Sequence, residues 1–514
     1  MSRFVGRLVA KKSLEDIRDE AMQTELKRSL GWLDLTMLGI GGIIGAGIFV
    51  LTGTAAAERA GPAIILSFLF AGVASALAAL CYAELASMIP VSGSAYTYTY
   101  ATLGEFMAWF IGWDLMLEYL VSAAAVAVSW AAYFKSFFKQ VFDVDLADSW
   151  TVTPFEFSQS DTSVTKTDGY FNAVACAVLL VVMLILAWGI RESSTVNALI
   201  VITKIVIVLL VIGFCAKYVK TDNFSPFVPE QQRWGKYGWS GVLRGAVVVF
   251  FAYIGFDAVS TVAHESKNPQ RDLPIGILLS LVVCTVLYIA VSTVMVGVVK
   301  YTQLNVSNPM AAVVEFTGQK WLTIVVDVGA LCGLFSVMMV VFLGQTRIFY
   351  SMSKDGLFPA WGGRVNRRTM TPVASTVVIG IFGALLASVV PLDVLADLTS
   401  IGTLLAFALV SAGVIILRYT QPHAPRKFVV PGPSWGIPVL SILCCAGLAS
   451  FSTLSTLYRL LIWMGIGLIF YFLYGWRHSI LGKKIAAREP DLNLVELESR
   501  KDRPSLLHPP AEYA

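Results

Sequence analysis

Between Gly39 and Phe49 the chain reads Gly-Ile-Gly-Gly-Ile-Ile-Gly-Ala-Gly-Ile-Phe, with five glycines in the nine positions from Gly39 to Gly47. Each glycine costs a helix interior about 0.8–1.0 kcal/mol relative to alanine, so a regular helix is not expected here. Yet the stretch lies inside an apolar segment running from near Trp32 to about Ala57. In such a segment freed N–H and C=O groups persist only where they line a cavity or meet protein or ligand partners. The amides of Gly45, Ala46 and Gly47, at the positive end of a second half-helix, suit a carboxylate. Carbonyls ending the first half suit an ammonium, as do those of a second irregular stretch, Val249-Phe-Phe-Ala-Tyr-Ile-Gly-Phe-Asp257. Together they describe a zwitterion site that reads the main-chain groups of an α-amino acid without charged side chains.

Charged residues inside apolar segments are the next candidates. Lys204 stands about ten residues, or about 15 Å, from either end of the run 194–216, beyond easy snorkelling for its stem. A central lysine costs about 2.5–3.5 kcal/mol on an insertion scale. Deprotonating an ordinary lysine at pH 7 costs about 4.6 kcal/mol, so the local environment decides its charge. Two roles follow: a proton exchanged during a transport cycle, or a permanent cation pinning its helix to carbonyls of the first break in place of a sodium ion. Asp114 and Glu118 are four apart and share one helix face. Glu118, the deeper, is the candidate partner of a cationic group, with a structural ion pair or hydroxyl-bonded carboxylate as the alternative. Asp257 is expected to cap the half-helix after the second break. Glu84 and Asp327 are read as helix-to-helix contacts.

The elements that must position these groups are membrane spans. Over 514 residues, 56% are hydrophobic, 14% are charged and the mean hydropathy is +0.71. Twelve spans are predicted, roughly 32–57, 62–90, 104–134, 172–189, 194–216, 241–264, 273–299, 320–350, 372–390, 395–417, 436–456 and 459–476, each near the ~20 residues that cross a bilayer core. The segment Met1–Gly31 lacks a cleavable leader pattern, so the first span is expected to act as signal anchor. Lys and Arg concentrate in the segments that an N-in, C-in topology makes cytoplasmic. The exception is 217–244, an outer segment holding Lys217, Lys220, Arg233, Lys236 and Arg244. A net charge of +4 gives no reason to infer a nucleic-acid partner, and the partners expected are an amino acid, the lipid bilayer and protons. All seven cysteines fall inside predicted spans, which argues against a disulfide framework or zinc site; no cofactor is expected.

The two irregular stretches lie about 210 residues apart, each in the first span of a five-span block. An odd number of spans turns the second copy upside down, which makes an inverted repeat; Gly255 as a simple packing glycine is the alternative. The predicted organisation is a cytoplasmic tail 1–31, a first repeat 32–217, an outer loop 218–240, a second repeat 241–417, spans 11 and 12 within 418–476, and a cytoplasmic tail 477–514. Residues 11–30 suit an amphipathic surface helix or a solvated arm. Lys135–Tyr170 is long enough to fold over the outer mouth.

At these residues the sequence resembles the cationic amino acid transporters of the amino acid–polyamine–organocation superfamily. The resemblance spans nearly all of Ser29–Tyr474. It is carried by the glycine stretch, Phe250-Phe-Ala-Tyr-Ile-Gly-Phe-Asp-Ala-Val-Ser-Thr, Lys267-Asn-Pro-Gln-Arg-Asp-Leu-Pro-Ile-Gly, Ser351-Met-Ser-Lys-Asp-Gly-Leu-Phe-Pro and Leu398-Thr-Ser-Ile-Gly-Thr-Leu-Leu-Ala-Phe. It implies an all-α polytopic membrane protein with a LeuT-type 5+5 inverted repeat and 12 transmembrane helices. It implies substrate carboxylate on the amides of Gly45, Ala46 and Gly47, and substrate amine on carbonyls of Ile43, Phe251, Ala252 and Ile254, with Phe251 as aromatic gate. Lys204 matches the family's span 5 lysine, which replaces a sodium ion and contacts the span 1 break, here near Gly41 and Gly42, and a span 8 hydroxyl, here Ser336. Sodium independence follows from that match. Two positions depart from relatives: Ala46 lacks the hydroxyl of a threonine, and His264 stands where a second acid is common; an ordinary interfacial histidine is the favoured reading there, and inner-gate closure that depends on pH is the alternative.

The function expected is therefore proton-linked, sodium-independent alternating-access transport of amino acids, cationic ones first, across the plasma membrane. A neutral amino acid carrier and a non-transporting amino acid sensor are the alternatives. An enzyme is disfavoured, since neither His-Glu-x-x-His nor Gly-x-Gly-Asp occurs, and paired broken helices suit an occluded site better than a channel.

Overall fold

The computed structural model describes residues 6–13, 17, 30–89, 91, 93–158, 163–189, 194–366, 369, 371–485 and 487. Helix occurs within every one of the twelve expected spans. Among the described residues, eight helical stretches are long and apolar enough to cross a bilayer: Gly47–Met88, Glu105–Phe142, Val196–Tyr218, Gly238–Thr261, Pro269–Val298, Lys320–Lys354, Leu392–Thr420 and Leu454–His478. Four shorter apolar helices accompany them, Trp32–Ile43, Ala173–Ala187, Val373–Val389 and Gly436–Ser450. The protein is an all-α, multi-pass membrane protein.

Local chemistry sets several helix ends. Pro269 and Pro309 open their helices in the first turn, where a missing N–H costs nothing. Asn172 accepts a hydrogen bond from the Ala175 amide at 3.0 Å, and Thr453 accepts one from Thr456 at 3.3 Å. Gly61, with φ +62°, ends the π-helical turn Ala56–Ala60 before the Ile64–Met88 helix. Gly47 lies against Ala252 and Gly241 against Arg59, whereas Ser67 donates to the Val242 carbonyl and Gly72 lies against Tyr253. The legs on either side of Gly61 therefore run in opposite directions along the Gly238–Phe250 helix.

Small residues set the packing distances. A Cβ on Gly39 would come within 2.5 Å of Ser280 Oγ, and one on Gly344 within 2.6 Å of the Tyr119 ring. The Leu454–Phe470 helix is fastened to Glu105–Phe142 by reciprocal indole bonds, Trp113 Nε1 to the Trp463 carbonyl at 2.9 Å and Trp463 Nε1 to the Trp113 carbonyl at 3.1 Å, with the rings stacked at 4.7 Å.

Four features add to the predicted spans. Ser94–Thr102 is helical although Tyr and Thr favour strands; all nine residues are buried, and packing overrides that preference. A second short helix, Pro309–Phe316, also went unread. Glu105–Phe142 runs eight residues beyond the predicted end of span 3, reaching about 57 Å at 1.5 Å per residue. After it, the polar segment up to Tyr170 includes a two-stranded antiparallel hairpin, Phe155–Ser158 against Ser163–Lys166. Most of the segment 11–30 lies outside the described residues, as do 488–514; at its end Leu30 forms a parallel bridge with Ser266.

Candidate functional site

Both irregular stretches are breaks. The Trp32–Ile43 helix stops at Ile44, whose backbone is extended (φ −72°, ψ 95°), and a π-helical turn starts at Gly47. The buried amides of Gly45 and Ala46 donate to no acceptor among the described residues. Gly47 opens the next turn, so its amide has no partner within that turn either. In the second stretch a short 3-10 turn, Phe251–Tyr253, leads to extended Ile254 (φ −65°, ψ 137°) and to Gly255 at φ +121°. The Phe251 carbonyl accepts the Ile254 amide at 3.2 Å.

The two breaks abut. A Cβ on Gly255 would lie 2.8 Å from the Gly42 carbonyl, and one on Gly47 would lie 2.3 Å from Ala252 Cα. Glycine at 47 and 255 is therefore a condition of the contact, and at 42 an added Cβ would press on the Gly255 carbonyl oxygen at 3.3 Å. Phe251 and Ile254 are buried, at 5% and 9% exposure. Tyr288, absent from the sequence-based site, joins the breaks: its hydroxyl reaches the carbonyls of Ile43 at 2.8 Å and Ala252 at 2.9 Å. Each carbonyl keeps a second lone pair for a ligand. The available signal was a phenol near the middle of a largely apolar span.

Lys204, only 1% exposed, donates from Nζ to the carbonyls of Gly41 at 2.8 Å and Ile44 at 3.1 Å. Its stem lies on Gly333, where a Cβ would be 3.0 Å from Lys204 Cε. Two details differ from the implied arrangement. Among the described residues the hydroxyl of fully buried Ser336 has no hydrogen-bond partner, whereas the Lys204 ammonium meets the carbonyl pair. Gly42 packs on Gly255 rather than joining Lys204.

Three carboxylates gather past the second break. Asp114 is fully buried, has neither oxygen hydrogen-bonded among the described residues, and lies against Gly402. Glu118 is 2% exposed, has no hydrogen-bond partner for Oε2 among the described residues, and interacts electrostatically with both Asp257 and Asp114. Asp257 does not cap its helix: its own backbone is already helical (φ −66°, ψ −27°), and its carboxylate accepts the Tyr119 hydroxyl at 2.6 Å. Glu84 joins helices through Arg418 and accepts the Val430 amide at 2.8 Å; Asp327 accepts Ser136 at 2.8 Å. Arg244, counted with the outer loop, is instead inside a helix, 4% exposed, and paired with Asp397 at 2.5 Å. On the opposite side Arg347 pairs with Glu265 at 2.9 Å. The side chain of His264 lies outside the described residues.

A bundle of apolar helices with two abutting backbone breaks at its core and buried ionisable groups around them defines a membrane transport protein. The chain belongs to the amino acid permease family, whose pattern it matches over residues 30–474. It is a permease of the amino acid–polyamine–organocation superfamily, not an enzyme. It is 47% identical over 480 residues to the branched-chain amino acid permease BcaP of Bacillus subtilis, covering 93% of this chain and 100% of that one. It is 43% identical to the methylthioribose transporter of the same organism, covering 93% and 99%. Cationic amino acid transporter 4, vacuolar, of Arabidopsis thaliana is 39% identical over 404 residues, covering 77% of this chain and 64% of the relative.

Proposed function

We propose that this permease carries amino acids by sodium-independent, proton-linked alternating access, with cationic amino acids such as arginine, lysine and ornithine as substrates. The observation that carries this reading is the pair of buried, unbonded amides at Gly45 and Ala46. Buried donors are normally satisfied, so a ligand carboxylate is their natural acceptor, with Gly47 completing the cradle. The substrate ammonium goes to the carbonyls of Ile43, Phe251, Ala252 and Ile254, and the Phe251 ring closes over it. Lys204 supplies the positive charge that a sodium ion would otherwise bring to the break, which supports sodium independence.

A LeuT-type arrangement of two inverted five-span repeats, 32–217 and 241–417, with two added spans and twelve crossings, accounts for breaks in the first span of each block. In this reading both termini are cytoplasmic and the membrane is the plasma membrane.

The cationic preference is supported by Asp114, Glu118 and Asp257, buried together beyond the second break. A second reading, a carrier of branched-chain amino acids, is favoured by the 47% identity to BcaP over that permease's full length. Uptake of labelled arginine, lysine and leucine into proteoliposomes, with and without an imposed proton gradient, tests both. Arginine accumulation driven by the gradient is expected; accumulation of leucine alone selects the second reading, and uptake of no amino acid removes both.

A further inference from the structure

Seven residues before Lys204 the Ser194–Cys215 helix carries Asn197, a polar side chain that the central site does not use. It is 6% exposed, and its Oδ1 is buried without a hydrogen-bond partner among the described residues. Buried polar atoms are normally satisfied, so an amide oxygen left over calls for a ligand or a functional reason. Val196 and Leu199 are 48% and 65% exposed, so Asn197 points into the bundle while its neighbours point out of it.

One glycine ties this amide to the lysine. A Cβ on Gly41 would lie 3.3 Å from Asn197 Oδ1, and the Gly41 carbonyl accepts the Lys204 ammonium at 2.8 Å. Residues seven apart share a helix face and lie about 10 Å apart along the axis. Helix side chains lean toward the N-terminus, so Lys204 leans toward Asn197. Val201, fully buried, stands between the two, and the same Cβ on Gly41 would lie 2.9 Å from its Cγ2. Amide, valine and ammonium thus form one column against the Trp32–Ile43 helix.

Neither Gly41 nor Ile44 can take the proton of Lys204. A backbone carbonyl accepts a hydrogen bond without becoming a base, and a side-chain amide is no better. The Cys284 thiol interacts electrostatically with Lys204, but it is fully buried and gives the proton no exit. Water can carry a proton, provided polar groups hold it close by. Asn197 is the second residue of the span Val196–Tyr218, at the end that an N-in topology places on the cytoplasmic side.

We propose that Asn197 positions the water that takes the Lys204 proton to the cytoplasmic solution, and that Val201 keeps this water from the ammonium until the Trp32–Ile43 helix moves. In the step, one N–H bond of Lys204 breaks and its electron pair stays on Nζ. The water gains that proton and passes one on to the inner solution, and Lys204 is left neutral. Asn197 accepts a hydrogen bond throughout and never ionises. The proposal rests on the proton-linked reading, with Lys204 as the proton carrier.

The test uses the purified full-length protein in proteoliposomes, with labelled arginine or leucine, whichever the wild type accumulates. Two rates are compared: net accumulation driven by an imposed proton gradient, and exchange of the same amino acid without a gradient, in which Lys204 need not lose its proton. Asn197→Leu is expected to slow net accumulation about tenfold and to change exchange by less than about twofold. Asn197→Ser, which restores an acceptor oxygen, is expected to recover net accumulation to within about threefold of wild type. Deuterated water slows net accumulation more in Asn197→Leu than in wild type and leaves exchange unchanged. Val201→Ala is expected to raise the proton leak measured without any amino acid, and no rise overturns its part as the barrier. Equal losses in both rates, or wild-type accumulation in Asn197→Leu, overturn the role of Asn197 and leave the proton-linked reading standing. A wild type that exchanges but does not accumulate under the gradient overturns that reading, and this step with it.

Discussion

The ammonium of Lys204 lies 2.8 Å from the carbonyl oxygen of Gly41, two residues of opposite character joined across 163 positions of the chain. A second bond to Ile44 at 3.1 Å spans the point where the helix stops. The lysine thus occupies carbonyls that the break set free, and in the proposed mechanism its charge takes the place of a sodium ion. Replacing sodium by choline is expected to leave uptake unchanged. In Lys204→Ala the two carbonyls lose their donor, at about 1–3 kcal/mol of stability by thermal unfolding. Gradient-driven accumulation is lost in that variant, and normal accumulation removes the proton role.

Close approach of the breaks makes glycine substitutions there severe. Gly47→Ala drives a methyl to 2.3 Å from Ala252 Cα, and Gly255→Ala adds strain at φ +121°. Each is expected to cost about 1–3 kcal/mol and to abolish transport. Gly447→Ala, with nothing within 4 Å of the new carbon, is the control and leaves both unchanged.

Tyr288→Phe removes the hydroxyl shared by Ile43 and Ala252. Two buried carbonyls lose a donor, and a loss of about 1–3 kcal/mol is expected. Uptake should slow while the protein stays folded; wild-type rates in Tyr288→Phe would show that the bridge is dispensable.

Glu118→Gln keeps shape and removes charge. If Glu118 partners a cationic side chain, a charge-assisted bond of about 1.5–3 kcal/mol disappears, or about 10- to 150-fold in arginine affinity. Leucine affinity, measured in the same competition assay, is expected to move by less than about twofold. Equal losses for both substrates would assign Glu118 a structural role instead.

Arg244 and Asp397 are 4% and 5% exposed, so removing one partner leaves a charge buried. Asp397→Leu alone, which leaves the Arg244 guanidinium buried, is expected to destabilise by about 3–5 kcal/mol, and Arg244→Met with Asp397→Leu by much less. Unfolding midpoints of the two single variants and the double variant give the coupling directly.

Apolar composition and span-length hydrophobic runs determined by themselves that this is a helical membrane protein, because a bilayer satisfies backbone polar groups only in helices or closed barrels, and barrel strands alternate apolar with polar residues instead of running continuously apolar. Five glycines in nine positions located the first break for an equally local reason, the cost of glycine in a helix. A lysine in the middle of an apolar run marked Lys204 as internally solvated, since nothing else at that depth could hold it. Which carbonyls it meets was not local information: Gly41 and Ile44 were decided by how two helices pack, and Ser336 was left out by the same packing. Tyr288 was hidden because a tyrosine in an apolar span reads as core until its hydroxyl is seen bridging Ile43 and Ala252. Asp257 looked like a cap from its position, and only the fold brought Tyr119 within 2.6 Å to claim it. Arg244 read as a loop charge until Asp397, 153 residues away in sequence, was folded against it. Sequence alone determined groups whose cost arises within a few residues of backbone, and tertiary structure decided every pairing whose partner lies on another helix.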